Sequence, residues 1–308
     1  MNYKIAIQFF GHLRTFEQCA TSIKKYILSK YDCDVFVHTW SDTEHSTQTW
    51  HNSKSKIRPI NQSMLNKIVK IYNPKMILVE KQIVSDDDTL IACLHDQQTR
   101  TISANGMSFM LQSQIKVNKL RKQYSKKNNT KYDMVIMLRP DIYLHNSLDI
   151  NQIIHQCYTS LEYPARICAN NALKKNGSCA FISDMLTDVL FMAKPSDMDL
   201  IVDALKTIKF KNHTTKMWTP ESLITDILFK KGISTLSLFY FFNRDFEIIR
   251  GSYYGKEKRR RFISFKLTPK LLRLNLFSFI KKNILSLDFY IFNVFNVDIS
   301  IGKPYAKC

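Results

Sequence analysis

A chain of 308 residues with 45% apolar and 23% charged residues has the composition of a globular protein, one large domain or two closely packed lobes. Its net charge of +19 implies an anionic partner, whether nucleic acid, a phosphorylated small molecule or a membrane surface. The seven cysteines show no CxxC spacing, and no apolar stretch reaches the roughly 18 to 20 residues of a membrane span, which points to reduced thiols in a cytoplasmic protein.

The start, "MNYKIAIQFFGHLR", is too short in its apolar run for a signal sequence and enters a buried strand at Ile5–Phe10. A helix from about Phe16 to Ser29 follows, with Thr15 and Gln18 at capping-box spacing. "DVFVHT" is a second strand, a helix near Ser63–Tyr72 comes next, and "KMILVE" is a third strand. Met107, Met110, Leu111, Ile115, Leu120 and Tyr124 mark one face of a long helix. Met134–Leu138 has the length and apolarity of a strand buried on both faces. "DVLFMA" is another strand, Ser196 and Asp199 cap a helix reaching Ile208, and Thr219-Pro220-Glu221 opens a helix that closes at Gly232. Strands alternating with helices predict an α/β fold with a mostly parallel sheet covered on both faces.

In open α/β sheets, ligands bind beyond the carboxyl ends of the strands. Three polar or aromatic sets occupy those ends: "FGHLR" (Phe10–Arg14), "HTW" (His38–Trp40) and "RPD" (Arg139–Asp141). Gly11 allows close backbone approach to a ligand, and Arg14 offers a forked donor for phosphate oxygens. Asp141 suits Mg²⁺ or Mn²⁺ chemistry, and Arg139 suits a departing diphosphate. Both are expected at a solvent-facing strand end. Glu221, in the first turn of its helix, is a candidate general base, although the helix dipole alone favours glutamate there.

The pattern "GHLRTF…DVFVHTW…YDMVIMLRPDIYL…DVLFMAKPSDMDLIVD…PESLITDILFKKGI" resembles bacterial glycosyltransferases of capsule and lipopolysaccharide synthesis related to the WavE type, over roughly residues 3 to 240. The resemblance implies a GT-A-like, Rossmann-type sheet and transfer of a sugar from a nucleotide-sugar donor to a glycan or lipid-linked glycan acceptor. It places Arg139-Pro140-Asp141 where such enzymes carry an Asp-x-Asp metal motif, here with one carboxylate, and implies that Arg139 takes part of the cation's role. It also implies Asp184 and Asp188 as donor or acceptor contacts, beside Gly11, Arg14, His38 and Trp40 in the donor site.

Asp86–Asp88 in "SDDDT" form an acidic motif within a polar loop, the expected place for a solvated turn. Neither zinc spacing, nor a P-loop, nor a Gly-x-Gly-x-x-Gly or Gly-x-Ser-x-Gly motif is present. From Arg250 the composition shifts to basic residues interleaved with aromatic and aliphatic ones. A catalytic domain over 1–248 and a helical extension over 249–308 are expected; the extension either lies on the anionic inner face of the cytoplasmic membrane or packs as an ordinary helix. Two other readings stay open. One is transfer of a non-sugar group to a polysaccharide; the other is nucleic-acid binding, disfavoured because no nucleic-acid-binding motif is visible.

Overall fold

The structure is a computed structural model that describes residues 3–44, 57–84, 90–95, 98–159, 179–182, 188–208, 232, 234–237, 240, 244–249, 264–266 and 298–300. The chain divides into two units, one of residues 1–95 and 99–254 and one of residues 96–98 and 255–308.

The first unit begins with β1 (Lys4–Phe9) and α1 (Phe16–Ile23), which runs on as a π-helical turn over Lys24–Leu28. β2 (Asp32–Trp40), α2 (Gln62–Tyr72), β3 (Met76–Glu80), the pair β4 (Leu90–His95) and β5 (Gln98–Ser103), α3 (Ala104–Asn128) and β6 (Met134–Leu138) follow. Then come β7 (Ile142–Leu144), α4 (Ile150–Thr159), β8 (Cys179–Ile182), β9 (Leu190–Ala193), α5 (Pro195–Leu205), β10 (Ser234–Ser237) and β11 (Phe246–Ile248). In the second unit the described residues form one antiparallel pair, β12 (Ser264–Lys266) with β13 (Asp298–Ser300). The helix expected in the basic extension lies outside the described residues.

A seven-stranded sheet in the order β10-β8-β9-β6-β1-β2-β3 forms the centre. β6, β1, β2 and β3 are mutually parallel, as are β8 and β10, whereas β9 runs antiparallel to both of its neighbours. This is the expected mixed α/β architecture with a mostly parallel sheet. The reversed strand β9 lies within "DVLFMA", whose first residues, Asp188 and Val189, form a turn before the strand begins.

Alternation along β1 explains the two-sided burial. Ile5, Ile7 and Phe9 enter one core with Phe16, Ile23 and Ile136, while Ala6 and Phe10 enter a second with Phe36, Leu111 and Val202. Every residue of β6 is 0% exposed, as its continuous apolar run predicts. Each large apolar side chain so buried contributes roughly 1.5 to 3 kcal/mol.

Two helix starts differ from the sequence reading. Thr15 makes no side-chain cap; its hydroxyl donates instead to the Ile249 carbonyl at 2.5 Å, while Gln18 N–H reaches the Thr15 carbonyl. α5 opens on Pro195 behind Lys194, whose side chain offers no acceptor, so Ser196 and Asp199 lie inside the helix, where Asp199 accepts from Asn118 and Arg121 of α3. Where local caps do form, Asn61 accepts from Met64 N–H and Ser103 from Gly106 N–H, each at 3.0 Å.

Candidate functional site

The turn after β6 brings together charged side chains from three strand ends. Asp141 is 0% exposed, so the expectation of a solvent-facing carboxylate does not hold. Arg139 donates across Pro140 in two-pronged fashion, Nε to Oδ1 at 2.9 Å and Nη2 to Oδ2 at 2.5 Å. From the loop after β1, Arg14 Nη1 donates to Oδ2 at 2.9 Å. Arg14 Nε donates to Glu44, beyond β2, at 2.8 Å. Burial pulls against the charge on Arg139, yet the adjacent Asp141 raises its pKa above the ordinary arginine value.

Backbone bonds fix these ends. Phe10 N–H donates to Leu138 C=O at 3.3 Å, extending the β1–β6 ladder, and Arg14 N–H donates to Thr43 C=O at 3.3 Å. Arg139 N–H reaches Val189 C=O at 3.0 Å, and Ile249 N–H reaches Asp141 C=O at 2.8 Å beside the β7–β11 pair. Arg14 holds φ +43, in the left-handed region where a side chain is strained. The other two non-glycine residues of positive φ among those described, Asn73 and Asn129, end helices. Arg14 ends none; it is held by the ion pairs to Asp141 and Glu44 together with its backbone bond to Thr43.

His12 lies beside this cluster, 3% exposed. Its Nδ1–H donates to the Asp42 carbonyl at 2.8 Å, which leaves Nε2 to accept from Gln82 Nε2 at 3.2 Å. Burial, reinforced by the positive charge of Arg14, lowers the His12 pKa to about 4. It is a neutral neighbour of two guanidiniums.

His38 and Trp40 belong to a different cluster, on the side of β2 that meets α3. Gly11 N–H donates to Ser113 Oγ at 2.7 Å, and Ser113 Oγ lies 2.7 Å from His38 Nδ1. His38 Nε2 lies 3.0 Å from Glu80 Oε2 at the end of β3. The bonds are satisfied together if the Ser113 hydroxyl donates to Nδ1 and Nε2–H donates to Glu80, the neutral tautomer. Burial lowers the His38 pKa to about 4, consistent with that neutral form. Lys116 Nζ pairs with Glu80 at 2.5 Å and sits 5.2 Å from the centre of the Trp40 ring. Burial opposes the Glu80 charge, but the bonds from Lys116 and His38 win and lower its pKa.

Of the residues singled out from sequence, Arg14, Arg139 and Asp141 therefore converge, and Asp188 joins them electrostatically at Arg139. Gly11 connects instead to His38 through Ser113. Its φ of +91 favours glycine, and among the described residues no atom beyond its chain neighbours lies within 4 Å of where a Cβ would stand, which leaves room for close approach. Asp184, Glu221 and the Asp86–Asp88 run lie outside the described residues. Glu44, His12, Ser113 and Glu80 were not singled out. Glu44 and Ser113 carry no local signature, since each acts through a partner distant along the chain.

The donor set decides how a divalent ion fits. Both oxygens of Asp141 are taken by guanidiniums, and a cation there would face two positive groups. Among the described residues no three His, Cys, Asp or Glu side chains gather as a metal-holding group. As arranged, the site does not fit Mg²⁺ or Mn²⁺ at Asp141. Nor is any helix among the described residues long and apolar enough to cross a membrane.

A family model described as a domain of unknown function (DUF7796) matches residues 1–163, just over half of the chain. No curated protein matches the sequence. Among solved structures, the apo-form glycosyltransferase GlyE of Streptococcus pneumoniae TIGR4 is similar with a TM-score of 0.34 at 10% identity, over 77% of this chain and 45% of that one. The chain spans less than half the length of that solved protein, and a likeness of this size carries no argument about activity.

Proposed function

We propose that this chain, which belongs to the family described as a domain of unknown function (DUF7796), is a glycosyltransferase using a nucleotide-sugar donor and a surface-polysaccharide acceptor. One observation carries the reading. Segments following β1, β2 and β6, adjacent parallel strands, meet through Arg14, Glu44, Arg139 and Asp141 at the carboxyl edge where α/β sheets take ligands. The mostly parallel sheet with its one reversed strand supports a GT-A-like arrangement.

In this reading the acceptor hydroxyl oxygen attacks the anomeric carbon as the carbon–oxygen bond to the diphosphate breaks. The hydroxyl proton passes to a general base, for which Glu221 is proposed, and the bonding electrons leave with the diphosphate. Negative charge grows on that leaving group, so fixed donors facing it favour the transition state over the ground state. Arg14 Nη2 and Arg139 Nη1 make no hydrogen bond among the described residues and supply such donors.

The test is calorimetry of the full chain with uridine- and guanosine-diphosphate sugars, followed by assay of nucleoside diphosphate release with oligosaccharide acceptors. One donor is expected to bind, and Arg139→Lys is expected to cut turnover on the order of a hundredfold. If no sugar nucleotide binds at millimolar concentration, the reading fails.

A further inference from the structure

We infer that Asp141 is the shared counter-ion of two buried guanidiniums rather than a metal ligand, and that the N–H groups of Arg14 and Arg139 not engaged by Asp141 and Glu44 bind a diphosphate without a divalent cation. The identity of the ligand rests on the glycosyltransferase reading; the role of Asp141 does not.

Three features of the cluster carry the inference. The first is occupancy. Oδ1 accepts from Arg139 Nε, and Oδ2 accepts from Arg139 Nη2 and Arg14 Nη1, with the carboxylate fully buried. A Mg²⁺ or Mn²⁺ ion needs a carboxylate oxygen at roughly 2.1 Å and near-octahedral space around it. Here three N–H donors already bond the carboxylate, and an ion would have to share it with two guanidiniums.

Charge is the second. The pairs Arg14–Glu44, Arg14–Asp141 and Arg139–Asp141 set two cations against two carboxylates, with side chains exposed by only 5%, 9%, 12% and 0% for Arg14, Glu44, Arg139 and Asp141. Asp188 adds a further carboxylate whose field reaches Arg139. The arginines consequently offer a ligand directed N–H groups rather than surplus charge, and directed donors suit the oxygens of a diphosphate.

Backbone strain is the third. Arg14 keeps its left-handed φ only while neighbours over-determine its place. The carboxylate shared with Arg139 is one such neighbour, and Glu44 and the Thr43 carbonyl are two more.

Two measurements on the full-length protein test the inference. Electron paramagnetic resonance of free Mn²⁺ reports uptake by the wild type and by Asp141→Asn, with denaturant unfolding of each run alongside. The expected result is no Mn²⁺ uptake that depends on Asp141, together with a lower unfolding midpoint for Asp141→Asn. One ion per chain that disappears in Asp141→Asn, with the midpoint unchanged, overturns the inference. Should that variant not fold, Arg139→Gln replaces it. Freeing the carboxylate should then raise Mn²⁺ uptake above wild type, whereas one ion already bound by wild type and unchanged in Arg139→Gln overturns the inference.

Calorimetry with inorganic pyrophosphate in the presence of chelator tests the ligand. Binding is expected, weakened about tenfold in Arg139→Lys, which keeps the charge but loses the planar fork. Binding that appears only with added divalent ions, or none at all, overturns the ligand assignment. Neither measurement uses a sugar nucleotide, so failure of sugar transfer and failure of this inference are distinguishable.

Discussion

Two clusters hold the carboxyl edge of the sheet, and they do so by opposite means. Around Asp141, four charged side chains from three strand ends close on one another. Around His38, a neutral chain passes from Gly11 N–H through the Ser113 hydroxyl to the imidazole, and only its far end, Glu80 with Lys116, is charged and partly exposed. The contrast teaches where each is fragile. A buried ionic cluster fails when one partner is removed, because the charges left behind have lost their compensation. A neutral relay loses one hydrogen bond at a time and is attacked by protons instead.

The largest expected effect comes from Arg14→Ala, which removes a partner from both Asp141 and Glu44. Breaking buried pairs of this kind costs about 3 to 5 kcal/mol. Denaturant unfolding measures the loss, and Arg14→Gly sharpens it. Glycine relieves the strain at φ +43, so it should recover on the order of 1 kcal/mol relative to alanine without restoring the ion pairs. A loss below 1 kcal/mol for alanine would remove the distinction between the two clusters.

Ser113→Ala comes next. It takes the acceptor from the part-buried Gly11 N–H and the donor from the buried His38 Nδ1, at a cost of about 1 to 3 kcal/mol. Amide exchange at Gly11 should accelerate while the Arg14–Asp141 region is unchanged. Equal acceleration in both places would mean that the clusters act as one.

The relation of sequence to structure also differs between the clusters. β6 and its exit were legible because five apolar residues in a row, stopped by Arg139-Pro140-Asp141, leave few alternatives to a buried strand with a polar end. The convergence of Arg14 with Asp141 followed from strand-end logic alone. Its chemistry did not, because the backbone of Asp141 and β7 is held by Ile249 and β11, more than a hundred residues later. Thr15 shows the same limit. Capping-box spacing is a local signal, and a distant carbonyl at Ile249 outcompeted it. The His38 relay was half legible. A histidine at a strand end drew attention, but Ser113 lay hidden in a helix read for its apolar face, and its neighbour Gln114 is likewise polar and fully buried.

Acid should separate the clusters further. His38 and His12 both have pKa values lowered from 6.5 to about 4, by burial first in each case. Between those values the unfolded chain binds more protons than the folded one, so stability is full above about pH 6.5 and falls as pH drops toward about 4. By pH 6 the two together should cost on the order of 1 kcal/mol. Arg14, Arg139 and Glu44 surround His12, and Glu80 and Lys116 face His38. His38→Gln should therefore flatten only part of the slope in an unfolding series against pH; an unchanged slope would exclude His38 from it.

The smallest effect, Glu80→Gln, tests the exposed end of the relay. The Glu80 and Lys116 side chains are 34% and 32% exposed, so solvent screens their attraction and the stability change should stay below about 1 kcal/mol. The glutamine carbonyl can still accept from His38 Nε2–H, which preserves the neutral tautomer and its bond from Ser113. Only the negative charge disappears. Glu80 raises the His38 pKa, whereas burial and Lys116 lower it. Removing the carboxylate charge must then push the imidazole further below its present value. Proton NMR of the His38 ring in the variant should show it remaining neutral to lower pH than in the wild type, with Gly11 exchange unaltered. An unchanged His38 pKa would mean that the Glu80 carboxylate does not act on the ring, and the relay would end at Ser113.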